Sequence, residues 1–191
     1  MTASEFYKEF KGIFCSEKNL SRAMDTWKNR GDFTKFIMPK IAEVFNNHGM
    51  KTQYEYYNVD LIAWTDRKSL LPKQKNGYKL KKHLWTLDAA IEHENDQTDW
   101  TDELVKLLYL NCPLRVVIGY IPFELADLDS VLDYAAATVN LADPTSELIK
   151  SGQQFVLILG RNLADSATLS SEAYSAYLFD TDTRRFMALD K

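Results

Sequence analysis

The fold is decided by residues 84–94, which run Leu-Trp-Thr-Leu-Asp-Ala-Ala-Ile-Glu-His-Glu. This composition predicts a β-strand, in which successive side chains point to opposite faces of a sheet. One face then carries the apolar residues Trp85, Leu87, Ala89 and Ile91. The other carries Asp88, Ala90, Glu92 and Glu94. Three acids on one strand face, separated by only a small alanine, repel one another unless a cation lies among them.

A second strand is predicted at Tyr54–Trp64, and its apolar part, residues 59–64, contains one acid, Asp60. An ionised carboxylate in such a strand is costly unless it is paired, hydrogen-bonded or bound to a metal. If the two strands are neighbours, Asp60 and Glu92 converge on one hard divalent cation, which prefers oxygen ligands. The backbone carbonyl of His93 could add a ligand, and Glu94 could orient or deprotonate a water beside the ion.

A centre of this kind suits the hydrolysis of phosphodiesters, in which developing charge on oxygen must be stabilised. The alternative is structural: Asp60 caps a turn or pairs with a lysine, and the acids of residues 84–94 face solvent.

The remaining pattern predicts one domain over residues 1–191, with a mixed β-sheet flanked by helices. Phe6, Phe10 and Phe14 recur at helical spacing, and Asp32 is the expected N-cap of a second helix that ends at Gly49 and contains Pro39. Further elements are predicted as helices at 100–110 and about 127–141, strands at 114–120 and 155–159, and a terminal hairpin of 174–179 and 184–189.

Composition excludes several classes of protein. Of the 191 residues, 46% are hydrophobic, but no apolar run approaches the roughly 20 residues of a membrane span. The two cysteines, Cys15 and Cys112, form no zinc motif, and a reducing cytoplasm is the expected compartment. A net charge of −4 argues against binding nucleic acid by bulk charge, although it allows a local basic surface.

Residues 66–83 form such a basic segment, with seven lysines and arginines against one acid. Its lysines are expected to hold a phosphate backbone without regard to sequence, while Tyr78 and Trp85 could stack on unpaired bases. The lysines concerned are Lys68, Lys73, Lys75, Lys79, Lys81 and Lys82. The alternative is a solvated loop whose lysines oppose aggregation.

Four features resemble the PD-(D/E)xK, or restriction-endonuclease-like, nuclease superfamily. They are Asp60 on one strand, Ile91-Glu-His-Glu-Asn95 at the end of the next, the helix at 100–110 and the strand at 115–119. The resemblance implies an α-β-β-β-α-β core over residues 33–120, with a basic insert at 66–83, N-terminal helices and a C-terminal hairpin.

The resemblance also implies site residues. Asp60 and Glu92 match the acids that bind Mg²⁺, for which Mn²⁺ is a substitute, and Glu43 on the preceding helix matches an acid often found near the metal. Glu94 falls at the position of the motif lysine. A minority of similar enzymes use Glu there, and in others a lysine from the following helix replaces it, which makes Lys106 a candidate.

The function implied is a metal-dependent nuclease that hydrolyses phosphodiester bonds in DNA, with RNA as the second choice. A different class also fits: a nuclease fold without catalysis, acting as a binding or assembly subunit with a protein partner or as a homodimer. A third is a metal-dependent hydrolase of a small phosphorylated substrate. No membrane partner is expected.

Overall fold

The protein is described by a computed structural model over residues 1–27, 29–67, 70–71, 84–96, 99–121, 127–161 and 174–189. Within these ranges the chain is α/β, with five helices and seven strands. The helices are α1 (Ala3–Phe14), α2 (Glu17–Trp27), α3 (Arg30–Asn47), α4 (Trp100–Leu108) and α5 (Leu128–Ala142). The strands are β1 (Lys51–Tyr56), β2 (Val59–Asp66), β3 (Trp85–His93), β4 (Leu114–Ile121), β5 (Gln154–Arg161), β6 (Tyr174–Asp180) and β7 (Arg185–Ala188).

All seven strands belong to one mixed sheet, in the order in which they occur along the chain. β1, β2 and β3 form an antiparallel meander, whereas β3, β4 and β5 are parallel. α4 and α5 connect the parallel strands, and the antiparallel β6–β7 hairpin extends the sheet beyond β5. The carboxyl ends of β3, β4 and β5 therefore lie together at one edge of the sheet, called the carboxyl edge below. The amino end of β2 lies at this edge too, because β2 is antiparallel to β3.

Helices cover both faces of the sheet. Phenylalanines of α1 and α3, such as Phe10 and Phe33, pack with Ile91 and Tyr120 on one face, called the His93 face below. Side chains of α4 and α5 pack on the other face, called the Glu92 face below. The two names come from consecutive residues of β3 whose side chains point to opposite faces. The predicted class, a mixed sheet flanked by helices, is confirmed. No helix in the described ranges is long and apolar enough to cross a membrane.

The N-cap of α3 differs from the prediction. Asn29 is the cap, and its side-chain oxygen accepts a hydrogen bond from the backbone N–H of Asp32 at 3.3 Å. Asp32 thus stands in the first turn, where a carboxylate favours the positive end of the helix dipole. Pro39 lies inside this helix.

The predicted strand Tyr54–Trp64 is two strands. Tyr57 and Asn58 form a two-residue hairpin loop, and both have positive φ, 50° and 63°. Positive φ at both positions is the mark of a type I′ turn, which suits the twist of an antiparallel pair. The prediction of one continuous strand was wrong because the sequence has asparagine but no glycine at this turn.

β3 contains a bulge that the alternation of its sequence does not show. Ala63 of β2 pairs with Ala89, but the next residue, Trp64, pairs with Leu87, so Asp88 is the extra residue. Trp85 and Leu87 consequently pack on the Glu92 face. The prediction that they share a face with Ala89 was therefore wrong. Asp88 accepts a hydrogen bond from the Thr65 hydroxyl.

Candidate metal centre

The register of β2 and β3 brings two acids together at the carboxyl edge. Leu61 pairs with Ile91, so Asp60 stands opposite Glu92 on the Glu92 face. An oxygen of Asp60 accepts a hydrogen bond from the backbone N–H of His93 at 2.9 Å, and the charges of Asp60 and Glu92 are close enough to act on each other. Only 2% of Glu92 is exposed. The sequence therefore folds into a buried carboxyl pair.

Helix α4 brings a lysine to this pair. The Nζ atom of Lys106 lies 2.9 Å from Oε1 of Glu92 and 2.5 Å from Oε2 of Glu103, one helical turn earlier. It also donates to the backbone carbonyl of Asn58, in the β1–β2 turn, at 3.0 Å. Neither carboxylate oxygen has a hydrogen bond of good geometry among the described residues. Lys106 therefore forms ion pairs with the two carboxylates without well-aligned hydrogen bonds. Oε1 of Glu92 still has lone pairs with which it could bind a metal cation.

Burial determines the protonation of the two acids. It raises the pKa of Glu92 to about 8, and the charges of Asp60 and Glu103 act in the same direction against the contact with Lys106. Burial also raises the pKa of Asp60, although the N–H of His93 opposes this, and the charge of Glu55 adds to the rise. The acids outnumber the single ammonium, so the site favours an additional proton or an additional cation.

Burial disfavours the charged form of Lys106, but its contacts with Glu103 and Glu92 outweigh this and raise its pKa. Lys106 therefore remains an ammonium.

Glu55 has an uncommon backbone conformation beside this site. It lies between the paired positions Tyr54 and Tyr56 of β1, opposite Asp60, and its φ is 52°. A residue other than glycine at positive φ is strained, and such strain clusters at functional sites.

Sequence reasoning missed both Glu55 and Glu103. The i, i+3 spacing of Glu103 and Lys106 on one helix was the signal for Glu103. The sequence holds no such signal for Glu55.

Two further acids of the predicted site, Glu94 from the strand pattern and Glu43 from the resemblance, have other contacts. An oxygen of Glu94 accepts the backbone N–H of Asp96 at 2.6 Å, just beyond the end of β3. Glu43 lies on the outward side of α3, which packs on the His93 face, and its carboxylate is 3.6 Å from the Nζ of Lys40. The structure thus does not bring Glu43 to Asp60 and Glu92.

The other assigned groups stand as follows. The backbone N–H of His93 contacts the acid pair, while its imidazole points to the opposite face. Lys68, Lys73, Lys75, Lys79, Lys81 and Lys82 lie outside the described residues. Within the part of the chain that is described, no three His, Cys, Asp or Glu side chains form a group placed to hold a metal ion.

The chain matches no known protein-family model, and no curated protein shows significant similarity to it.

Proposed function

We propose that this protein is a Mg²⁺-dependent nuclease of the PD-(D/E)xK type that hydrolyses phosphodiester bonds in DNA. The observation that carries the proposal is the ammonium of Lys106, 2.9 Å from buried Glu92, with Asp60 opposite. A lysine from the helix after the acidic strand is one replacement for the motif lysine that the resemblance allows. The order α3-β1-β2-β3-α4-β4 supports the proposal, as does the position at the carboxyl edge, where ligands of α/β sheets bind.

The donor groups fit magnesium. Mg²⁺ prefers carboxylate oxygens, and it is bound in many phosphate-handling sites by one or two carboxylates. Asp60 and Glu92 would hold it, because both are acids near the edge of the sheet and Oε1 of Glu92 lacks a well-aligned hydrogen bond among the described residues. Bound there, Mg²⁺ would stabilise negative charge on the phosphate oxygens.

The residues of the chain have separable roles in this proposal. Lys106 stays protonated and acts electrostatically, offering its ammonium to an oxygen of the phosphate. Glu103 and the carbonyl of Asn58 position that ammonium. Glu94 follows Glu92 by two residues and is the carboxylate we assign to the attacking water, oriented by its bond to the N–H of Asp96.

The first experiment is a melting curve in EDTA, repeated with increasing Mg²⁺ or Mn²⁺. An ion that binds only the folded chain raises the midpoint by mass action. We expect a rise in the wild type that is lost in Glu92→Gln and Asp60→Asn. The matched control is Glu43→Gln, which removes an acid outside the pair and should keep the rise. Cleavage of single-stranded and duplex DNA is then assayed with the same preparations. No rise with either ion and no cleavage would contradict the proposal.

One observation favours a second function, a nuclease fold without catalysis that binds nucleic acid or a protein. The ammonium of Lys106 lies between Glu92 and Glu103 and already supplies positive charge to the acids. In that case the wild type would bind DNA or a partner, yet neither ion would change its melting midpoint.

A further inference from the structure

Four aromatic rings form a continuous row on the outer strands of the sheet. The rings of Tyr56 and Tyr57 have centroids 4.7 Å apart, those of Tyr56 and Trp85 are 5.8 Å apart, and those of Trp64 and Trp85 are also 5.8 Å apart. These four residues are called the aromatic shelf below. Three of its rings lie against the core of the Glu92 face. The shelf is therefore on the same face of the sheet as the candidate metal centre.

One end of the shelf is exposed to solvent, and the rest is partly exposed. Tyr57 is 84% exposed, and Trp64 and Trp85 are only partly buried. Cross-strand aromatic pairs stabilise a sheet, which accounts for the contact of Trp64 with Trp85. That explanation does not extend to Tyr57, which stands in a turn position that favours Asn or Gly. An exposed ring beside other partly exposed rings offers a flat apolar face to a binding partner.

The β1–β2 turn links the shelf to the candidate metal centre along the chain. Tyr57 directly precedes Asn58, whose backbone carbonyl accepts a hydrogen bond from the ammonium of Lys106. A chain lying along the rings would therefore reach the Asp60–Glu92 pair at the Tyr57 end of the shelf.

Two cations and one acid lie at the opposite end of the shelf. The Nζ of Lys51 lies 5.0 Å from the centroid of the Trp64 ring and 3.9 Å from a carboxylate oxygen of Asp66, and Arg67 is hydrogen-bonded to Thr86 next to Trp85. Aromatic rings interleaved with cations are typical of surfaces that bind single strands, because bases stack on the rings while cations contact phosphates.

We propose that the aromatic shelf binds single-stranded DNA by stacking unpaired bases on its rings, and that it delivers a single strand to the candidate metal centre. This inference deepens the proposed function by naming its substrate class, and it rests on that function for the fate of the strand. Duplex DNA is disfavoured because its bases are stacked on one another and present no free face to the rings.

The test is fluorescence anisotropy with the full chain in EDTA, so that no metal-dependent cleavage occurs. The probes are a labelled mixed-sequence strand of about 16 nucleotides, the upper range of a single-strand site, and the duplex formed with its complement. We expect tighter binding of the single strand. Tyr57→Asn should weaken that binding by about fivefold or more, the loss typical of one stacked base. Asparagine accepts positive φ, so this change preserves the turn.

Two further variants make the test decisive. Trp85→Leu should also weaken single-strand binding, whereas Tyr134→Asn, which removes a 63% exposed tyrosine from α5, should leave it unchanged. Equal affinity for strand and duplex, a preference for duplex, or unchanged binding by both Tyr57→Asn and Trp85→Leu would overturn the inference.

The melting shift with Mg²⁺ separates this result from the proposed function. If Mg²⁺ raises the melting midpoint but the protein does not prefer single-stranded DNA, the role of the shelf is refuted and the nuclease proposal is not. If the protein prefers single-stranded DNA but Mg²⁺ does not raise the midpoint, the role of the shelf is supported and the proposed hydrolysis is refuted.

Discussion

Glu92 and His93 are neighbours on one strand, both almost fully buried, and their side chains lie in opposite halves of the molecule. His93 is surrounded by rings: Phe33 is 5.5 Å away between centroids, and its Nε2 is 3.1 Å from the hydroxyl of Tyr120. Glu92 contacts an ammonium and other acids. Burial lowers the pKa of His93 to about 3 and raises that of Glu92 to about 8.

The comparison shows what separates a buried polar residue from a candidate site. Burial disfavours the charged form of both residues. On the His93 face a neutral imidazole contacts the hydroxyl of Tyr120 and the rings around it, and no charged group is needed. On the Glu92 face several ionisable groups share one small region, so the loss or gain of a proton or cation changes all of them. We expect function on the second face and mainly stability from the first.

The largest expected loss of stability comes from a substitution in the core of the His93 face. Phe33→Ala removes a ring that packs on Trp27, His93 and Tyr120, and it should lower the free energy of unfolding by about 3–5 kcal/mol. Denaturant titration measures the loss, and Phe33→Leu should lose much less. If the two faces are independent, Phe33→Ala keeps the melting shift with Mg²⁺. A loss of the shift while the variant stays folded would contradict that independence.

The ionisation of Glu92 and that of His93 should change the free energy of unfolding in opposite directions as the pH rises. The folded pKa of Glu92 is above its ordinary value of 4.5, so its stabilisation is present below pH 4.5 and is lost as the pH rises towards 8. The folded pKa of His93 is below its ordinary 6.5, so its stabilisation is present above pH 6.5 and is lost as the pH falls.

Between pH 6.5 and pH 8, therefore, the change at Glu92 acts without opposition from His93. Because one pKa unit corresponds to about 1.4 kcal/mol, we expect the wild type in EDTA to lose about 1–2 kcal/mol across this interval. Denaturant titrations at the two pH values measure the loss. Glu92→Gln should flatten the dependence, and an equal slope in both proteins would refute the assignment.

Removing the ammonium sharpens the contrast further. Lys106→Met keeps the apolar stem but leaves Glu92 without its cation, and it should cost about 1–2 kcal/mol at pH 8, less than a fully buried pair because Lys106 is partly exposed. The cost should shrink at pH 6, where Glu92 holds a proton. Lys40→Met breaks the exposed pair with Glu43 and is the control, with an expected change within about 0.5 kcal/mol. Equal costs for the two variants would contradict the special position of Lys106.

The smallest effect concerns the entry of α3 onto the His93 face. Asn29→Ala removes the capping oxygen and should lower the free energy of unfolding by about 1 kcal/mol. Asp32→Ala, which removes only a first-turn carboxylate, should lower it by about 0.3–0.5 kcal/mol. Thermal melting of the two variants distinguishes them, and the reverse order would restore Asp32 as the cap.

Periodicity predicted most of the fold, because a buried face imposes its spacing on the sequence. The strand at 114–120, the strand at 155–159 and the terminal hairpin were found within a few residues of β4, β5, β6 and β7. The turn at Tyr57 was missed because its positive φ values carry no glycine. The bulge at Asp88 was missed because the residue types of residues 84–94 are as typical of a regular strand as of one with an extra residue.

The candidate site was predictable only in part. Asp60 and Glu92 stood out because acids are rare in apolar strands, and their opposition followed from pairing the two strands. Lys106 entered by resemblance, since helix phase alone does not say which strand residue a helix meets. The position of Glu55 depends on a strained backbone, and that of Glu43 on which face α3 covers. Both are set by tertiary structure.

The extra residue at Asp88 divides β3 into two modules that can be altered separately. Deleting it would restore regular pairing with Trp85 and Leu87 still on the Glu92 face, while Ala89 onward, with Glu92, kept its pairing with β2. The half of β3 before the bulge could therefore be redesigned without moving the acids. The extra residue lets the Trp85 end of the strand vary apart from the Glu92 end.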